Sequence, residues 1–215
     1  MKYLSFLPIV VLALCLGACS SQTDDDDDVL YPSVISELVM AKADSQGNMV
    51  SFTTDAGKHY SVFNSYTGMT ANSTQRYVCD YEILGEESAF VRSVQRAAVL
   101  HDFTGVKTIV REPTALLSAW LAGGFINMHL YPKTKGGTQR WGFLRDSTYN
   151  NPGGGITHCL SLYHDLFDDA PAYSAHLFAC IALDSVAATH GPNDSVVVAM
   201  ETYDGPLSRR FPFKK

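Results

Sequence analysis

The chain has 215 residues, 46% of them hydrophobic, enough to bury a core in one large or two small domains. Acidic residues outnumber basic ones by 22 to 16, but five of the acids form a single run, Asp24, Asp25, Asp26, Asp27 and Asp28. The rest of the chain is therefore close to neutral and lacks the clustered basic surface that phosphate backbones need, which excludes nucleic acid as the expected partner.

At the start of the chain, Lys2 precedes an apolar stretch from Tyr3 to Ala18 whose one clearly polar side chain is Ser5. A short basic start and an apolar core ending in small residues is the layout of a secretory signal peptide. The stretch falls short of the roughly 20 apolar residues that cross a bilayer, and Pro8 interrupts it, so a permanent membrane span is disfavoured. Its end, Leu16-Gly17-Ala18-Cys19, resembles the bacterial lipobox, whose cysteine receives a diacylglycerol before the signal is removed. Residues 1–18, Cys15 among them, are expected to leave. Cys19 then becomes the lipid-attachment site, and its acyl chains, palmitate among them, hold the protein in the outer membrane. Each buried methylene contributes about 0.8 kcal/mol, and more than one chain gives stable rather than transient anchoring.

Residues 19–32 read as a solvated tether, because the five aspartates repel one another and Ser20 to Thr23 offer nothing to bury. The acidic run also resembles the export signal that carries lipoproteins of the Bacteroidetes to the cell surface. The expected location is thus lipid-anchored and outward-facing, with a periplasm-facing orientation as the alternative. Calcium is not expected, since the run lacks the glycine and the distant glutamate of a calcium loop.

Beyond the tether no segment keeps a helical period, and short runs of Val, Ile, Phe, Tyr and Thr alternate with Gly, Asn, Asp and Pro. Strands are predicted near Val34–Ala43, Met49–Thr54, His59–Phe63, Gln75–Leu84, Ala89–Leu100 and Val106–Val110. Ser45-Gln46-Gly47-Asn48 and Ala56-Gly57-Lys58 suit tight turns. Such strands over about 80 residues suit a closed barrel like the OB-fold. The predicted domain, residues 33–112, ends at Arg111-Glu112-Pro113, because proline cannot continue a central strand. Across residues 113–215, strands near Ala115–Leu121, Gly124–Tyr131, Arg140–Arg145, Ile156–Tyr163, Ala175–Val186 and Ser195–Tyr203 predict an antiparallel β-sandwich. Trp120, Phe125, Trp141, Phe143 and Phe178 are its candidate core. The fold class is all-β: a small OB-like barrel followed by a sandwich.

Three cysteines remain in the body, Cys79, Cys159 and Cys180. An odd number cannot all pair within the chain. A bond between Cys159 and Cys180 suits an oxidising compartment, while burial of all three as small apolar residues is the simpler reading.

Several segments together resemble the NigD-like lipoproteins of the Bacteroidetes. Asn48 to Lys58 resembles the family's first hairpin with its Asp-x-Gly turn, here Asp55-Ala56-Gly57. Gly124-Phe125-Ile126-Asn127-Met128-His129-Leu130, following Trp120, is similar to its Gly-Tyr-Leu-Asn-hydrophobic strand. Leu160-Ser161-Leu162-Tyr163-His164-Asp165 resembles its Leu-x-Leu-Arg-His-Asn segment, with Tyr163 and Asp165 as departures. The resemblance implies an OB-like domain and a β-sandwich, and no defined activity. The family name comes from a bacteriocin gene cluster.

The donors nearest to a metal-binding pattern are His158, Cys159, His164, Asp165, Asp168, Asp169 and His176. On a strand, His158 and Cys159 face opposite sides while His158 and His164 share one. Asp168 and Asp169 precede Pro171 in a loop, where acids are ordinary turn formers. No metal is expected, and His164 reads as fixed by hydrogen bonds at its strand end, as the family resemblance also implies. There is no Gly-x-Ser-x-Gly elbow and no helix start beside Cys79 to activate a nucleophile. Gly153, Gly154 and Gly155, with Tyr149 nearby, read as a mobile loop in a position to contact a ligand.

Asp146-Ser147-Thr148, Asp184-Ser185-Val186 and Asp194-Ser195-Val196 resemble the triplet used for O-glycosylation of exported proteins in the Bacteroidetes, with Ser147, Ser185 and Ser195 as acceptors. Such acceptors need exposure. The expectation is a non-catalytic envelope lipoprotein acting in binding or assembly, without a cofactor, whose partner beyond the membrane is an unidentified glycan or protein. Its rivals are a bacteriocin-related or immunity lipoprotein and a metal-dependent hydrolase using His158, His164 and the nearby aspartates.

Overall fold

The computed structural model describes residues 33–213. The signal segment, Cys19 and the aspartate run lie outside the described residues. Strands β1 (Ile35–Ala43), β2 (Met49–Thr54), β3 (His59–Val62), β4 (Thr74–Gly85) and β5 (Ser88–Arg96) close into a barrel in the order β1-β2-β3-β5-β4. Neighbours run antiparallel except β3 and β5, which are parallel. This is the five-stranded closure of an OB-like barrel. Alternation along each strand turns Val39, Ala41, Phe52, Tyr60, Tyr77, Cys79, Tyr81 and Val91 inward as one cluster. Within it the Phe52 and Tyr81 rings meet edge to face at 4.8 Å.

The β1–β2 turn shows why its sequence is what it is. The Asp44 carboxylate accepts from the backbone N–H groups of Gln46 at 2.8 Å and Asn48 at 2.9 Å. Gly47 sits at φ +80°, and a Cβ there would lie 2.5 Å from the Met69 carbonyl oxygen, so only glycine fits.

Eleven further strands follow: β6 (Ala98–Val99), β7 (His101–Asp102), β8 (Ala115–Ala122), β9 (Phe125–Tyr131), β10 (Lys133–Thr134), β11 (Arg140–Asn150), β12 (Ile156–Asp165), β13 (Tyr173–Ser174), β14 (Leu177–Ala182), β15 (Ser195–Thr202) and β16 (Gly205–Pro212). They form a five-stranded sheet, β16-β15-β12-β11-β7, a four-stranded sheet, β6-β14-β9-β8, and the ribbon β10-β13. Most pairs are antiparallel; β7 with β11, β6 with β14 and β12 with β15 are parallel. Among the described residues there is a 3₁₀ turn, Leu183–Ser185, and no α-helix. The all-β barrel-plus-sandwich architecture expected from the sequence is thus borne out.

Ile126, Met128, Leu130 and Ile181 of one sheet pack against Phe143, Leu160, Leu162, Val196 and Val198 of the other. Each such burial contributes about 1.5–3 kcal/mol. The four-stranded sheet also buries its second face, where Cys180, Trp120, Phe125 and Phe178 meet Leu38, Val78 and Ala97 of the barrel side. Parity along the strands therefore divides the five aromatic core candidates. Phe143 and Trp141 belong to the sandwich core, and Trp120, Phe125 and Phe178 to the layer between sheet and barrel. The described residues, 33–213, form one compact unit.

One predicted strand is absent, and one long strand was not predicted. Residues 106–110 form no strand, because β5 already closes the barrel between β3 and β4 and leaves no edge to pair. Conversely, Gly205–Pro212 is a strand although it carries Pro206 and Pro212. It lies at the sheet edge, pairing with β15 alone, which is where proline's missing N–H is tolerated.

Candidate functional site

His158 and His164 stand six residues apart on β12, which separates them by about 20 Å and rules out a shared metal ion. His164 is buried and stacked on Trp141, ring centroids 3.7 Å apart. Its Nδ1 lies 2.9 Å from the Glu112 carbonyl oxygen and its Nε2 lies 3.0 Å from Oε1 of Gln139, so both ring nitrogens are engaged. Burial lowers its basicity, against the opposing pull of the Glu112 carbonyl and Asp165.

The aspartates staple loops. Asp169 accepts from the Thr134 hydroxyl, the backbone N–H groups of Lys135, Gly137 and Ala170, and the Gln139 amide. These donors, the Thr134 hydroxyl foremost, hold its carboxyl far below the usual carboxylate range. Asp168 accepts from Thr138 N at 2.8 Å and Asp165 from Phe167 N at 2.9 Å. His176 is exposed and contacts His129, Nδ1 to Nε2, at 2.8 Å. Cys159 is half-buried, and all three body cysteines are free thiols. Among the described residues no group of three or more His, Cys, Asp or Glu side chains is arranged to hold a metal.

Residues 151–155, expected as a mobile loop, form a hairpin turn held by hydrogen bonds. Asn151 N donates to Gly155 O at 2.9 Å, Gly154 N donates to Asn151 O at 3.0 Å, and the Asn151 side chain donates to Asn193 O at 3.0 Å. Gly153 stands clear of its neighbours, and Tyr149 is 46% exposed beside Arg210. Of the three glycosylation candidates, Ser147 is exposed on β11. Ser185 donates to Ala182 O within the 3₁₀ turn. Ser195 is buried with its hydroxyl 2.8 Å from that of Thr157, so it cannot serve as an acceptor.

The site that the sequence reading missed lies where the barrel meets the four-stranded sheet. Arg76, on β4, has a fully buried side chain. Its Nη2 donates to Asp55 at 2.7 Å and to Asn127 Oδ1 at 2.9 Å, and its guanidinium lies 4.2 Å from the centre of the Phe125 ring. Gly123 backs onto this node at φ +60°, and a Cβ there would meet the Asp55 carboxylate at 2.0 Å. Nε and Nη1 of Arg76 find no hydrogen-bond partner among the described residues.

Beside Arg76 runs an open groove of about 640 Å³, walled by Thr74, Arg76 and Arg96 of the barrel and by Val99, His101 and Phe125 of the sandwich. Its size falls in the range of small-molecule sites. A second cleft of about 330 Å³ holds Arg111, Ser161 and Asp146. There the Ser161 hydroxyl donates to Asp146 at 3.0 Å and accepts from Arg111 at 3.0 Å. Among the described residues no histidine lines it. The signal for the junction was Asn127, a polar residue between Ile126 and Met128, where a strand buried on both faces still needs a polar partner on one of them.

No protein-family model matches the chain, and no curated protein matches it. Solved structures do. A NigD-like immunity protein from Bacteroides caccae superposes with TM-score 0.63 at 23% identity, over 83% of this chain and 93% of that one. A DUF1344 protein of unknown function from Bacteroides vulgatus gives 0.65 at 11% identity, over 85% and 92%. A protein described as a candidate lipoprotein from Bacteroides fragilis gives 0.60 at 12% identity, over 85% and 99%. At these identities the likeness is one of fold, and at that level the resemblance to NigD-like proteins drawn from the sequence holds.

Proposed function

We propose that this protein is a lipid-anchored, non-catalytic lipoprotein of the cell envelope, displayed on the outer-membrane surface, where it acts in binding or assembly. The groove between barrel and sandwich carries the reading. It is the larger of the two clefts described, and residues from both halves wall it. The histidine and the aspartates that would do chemistry are instead engaged in holding β12 and its loops. The lipid anchor rests on Leu16-Gly17-Ala18-Cys19, and the candidate lipoprotein from Bacteroides fragilis supports it through its shared fold. Among the described residues no helix is long and apolar enough to cross a membrane.

Labelled palmitate should enter the wild type and not Cys19→Ala, and protease added to intact cells should digest the wild type. Replacing Asp24 to Asp28 by Ser or Ala should protect the protein. Digestion of neither would put the protein on the periplasmic side and favour envelope assembly. The name of the Bacteroides caccae neighbour favours a second reading, immunity. Deleting the gene should then sensitise the host to a neighbouring strain's toxin.

A further inference from the structure

The charged residues lining the groove are Arg76 and Arg96; His101 stands with them, and among the described residues no aspartate or glutamate does. Arg96 and His101 are exposed, and neither forms an ion pair among the described residues. Beneath them Arg76 keeps two nitrogens without a partner among the described residues, in a side chain shut off from water. Unpaired buried donors are rare in native structures, and such a group gains when an anion is brought near. Met40, Val99 and Phe125 supply apolar lining, and Thr74 and Gln75 polar lining. An arginine rim with apolar lining beside it matches a molecule that joins an anion to an apolar body.

We infer that the groove takes a small organic anion with an apolar body, its carboxylate held by Arg96 and His101 over the buried Arg76 and its tail against Met40, Val99 and Phe125. This deepens the binding role proposed above and rests on it. The groove walls are tied together by the Arg76–Asp55–Asn127 node, so the site is preformed and little ordering opposes binding.

The test is calorimetric titration of residues 20–215 with sodium octanoate, and with octylammonium as the same tail carrying the opposite charge. Octanoate should saturate, Arg96→Gln should weaken it tenfold or more without moving the melting temperature, and octylammonium should not compete. Arg96 is exposed, so this variant folds even where one at Arg76 does not. Equal binding of octylammonium, or an unchanged octanoate affinity in Arg96→Gln, would overturn the charge selection and leave the groove as a site. Saturation by neither probe would remove the groove itself, while the lipid anchor stands or falls separately on palmitate labelling. A tenfold gain in octanoate affinity on replacing Asp24 to Asp28 by serine would show that the chain's own acids occupy the groove, and would refute an external ligand.

Discussion

Asp55→Ala is the substitution on which the account of the barrel–sandwich junction is most exposed. Asp55 is the carboxylate partner of Arg76, 2.7 Å away, and the Arg76 side chain has no solvent exposure. Removing the carboxylate leaves a buried, uncompensated guanidinium still bonded to Asn127 Oδ1. Breaking a buried pair from one side costs about 3–5 kcal/mol, because the surviving charge is left uncompensated. In a folded body of this size that corresponds to a fall in melting temperature of about 6–20 °C. Arg76→Met should be milder. Its methylenes keep the contact with Phe125, and Asp55, 14% exposed, can turn to water. The double variant should recover part of the loss seen in Asp55→Ala, the mark of direct coupling.

Guanidinium unfolding followed by tryptophan emission reads this out. Trp120 lies in the layer between barrel and sheet, and Trp141 stacks on His164 within the sandwich. A loss below 1 kcal/mol in Asp55→Ala, or a larger loss in Arg76→Met than in Asp55→Ala, would refute the reasoning.

Two further outcomes follow from the geometry. The Asp169 carboxyl is held below its unfolded value of about 3.9, so its contribution is present above that pH and is lost as the pH falls through the folded value. Asp169→Asn should therefore flatten the acid limb of stability below about pH 4 and raise hydrogen exchange at Lys135 and Gly137; an unchanged acid limb would refute its stapling role. Burial pushes the Cys79 thiol up to about 12, Cys180 is likewise raised, and both are fully buried. A thiol reagent should label Cys159 alone in the native protein and all three cysteines in denaturant, and rapid labelling of three native thiols would contradict the packing.

Strand positions were legible because one face of each strand meets a core. Met49–Thr54 is bounded as its alternation predicts, and Ile126, Met128 and Leu130 mark the sandwich face of β9. What stayed hidden depends on partners distant in sequence. Nothing near Arg76 announces that its guanidinium meets Asn127, 51 residues away. The two-residue strands β6 and β7 exist only because β14 and β11 offer them an edge. The cluster around His164 was visible as donor types, but its role depended on Gln139 and Glu112, which no spacing rule ties to it. Ser195 looked like Ser147 as a triplet, and only the packing of β15 against β12 separates a buried hydroxyl from an exposed one.

The same long-range pairing argues that the barrel and sandwich do not hinge. The crossing between them is short and bonded at both ends: Ala97 N donates to Arg76 O at 3.0 Å, and Leu100 N donates to Cys180 O at 2.8 Å. Between those bonds β6 is paired into the four-stranded sheet, and the Asp55–Arg76–Asn127 node lies alongside. A hinge would have to break these bonds and expose Leu38, Ala97 and Cys180, which now share one buried cluster. A ligand entering the groove therefore meets walls already in place. Affinity at such a site follows from the match between its charge and surface and those of the ligand, with little lost to rearrangement. A charge-reversed probe with an identical tail therefore tests the charge match directly.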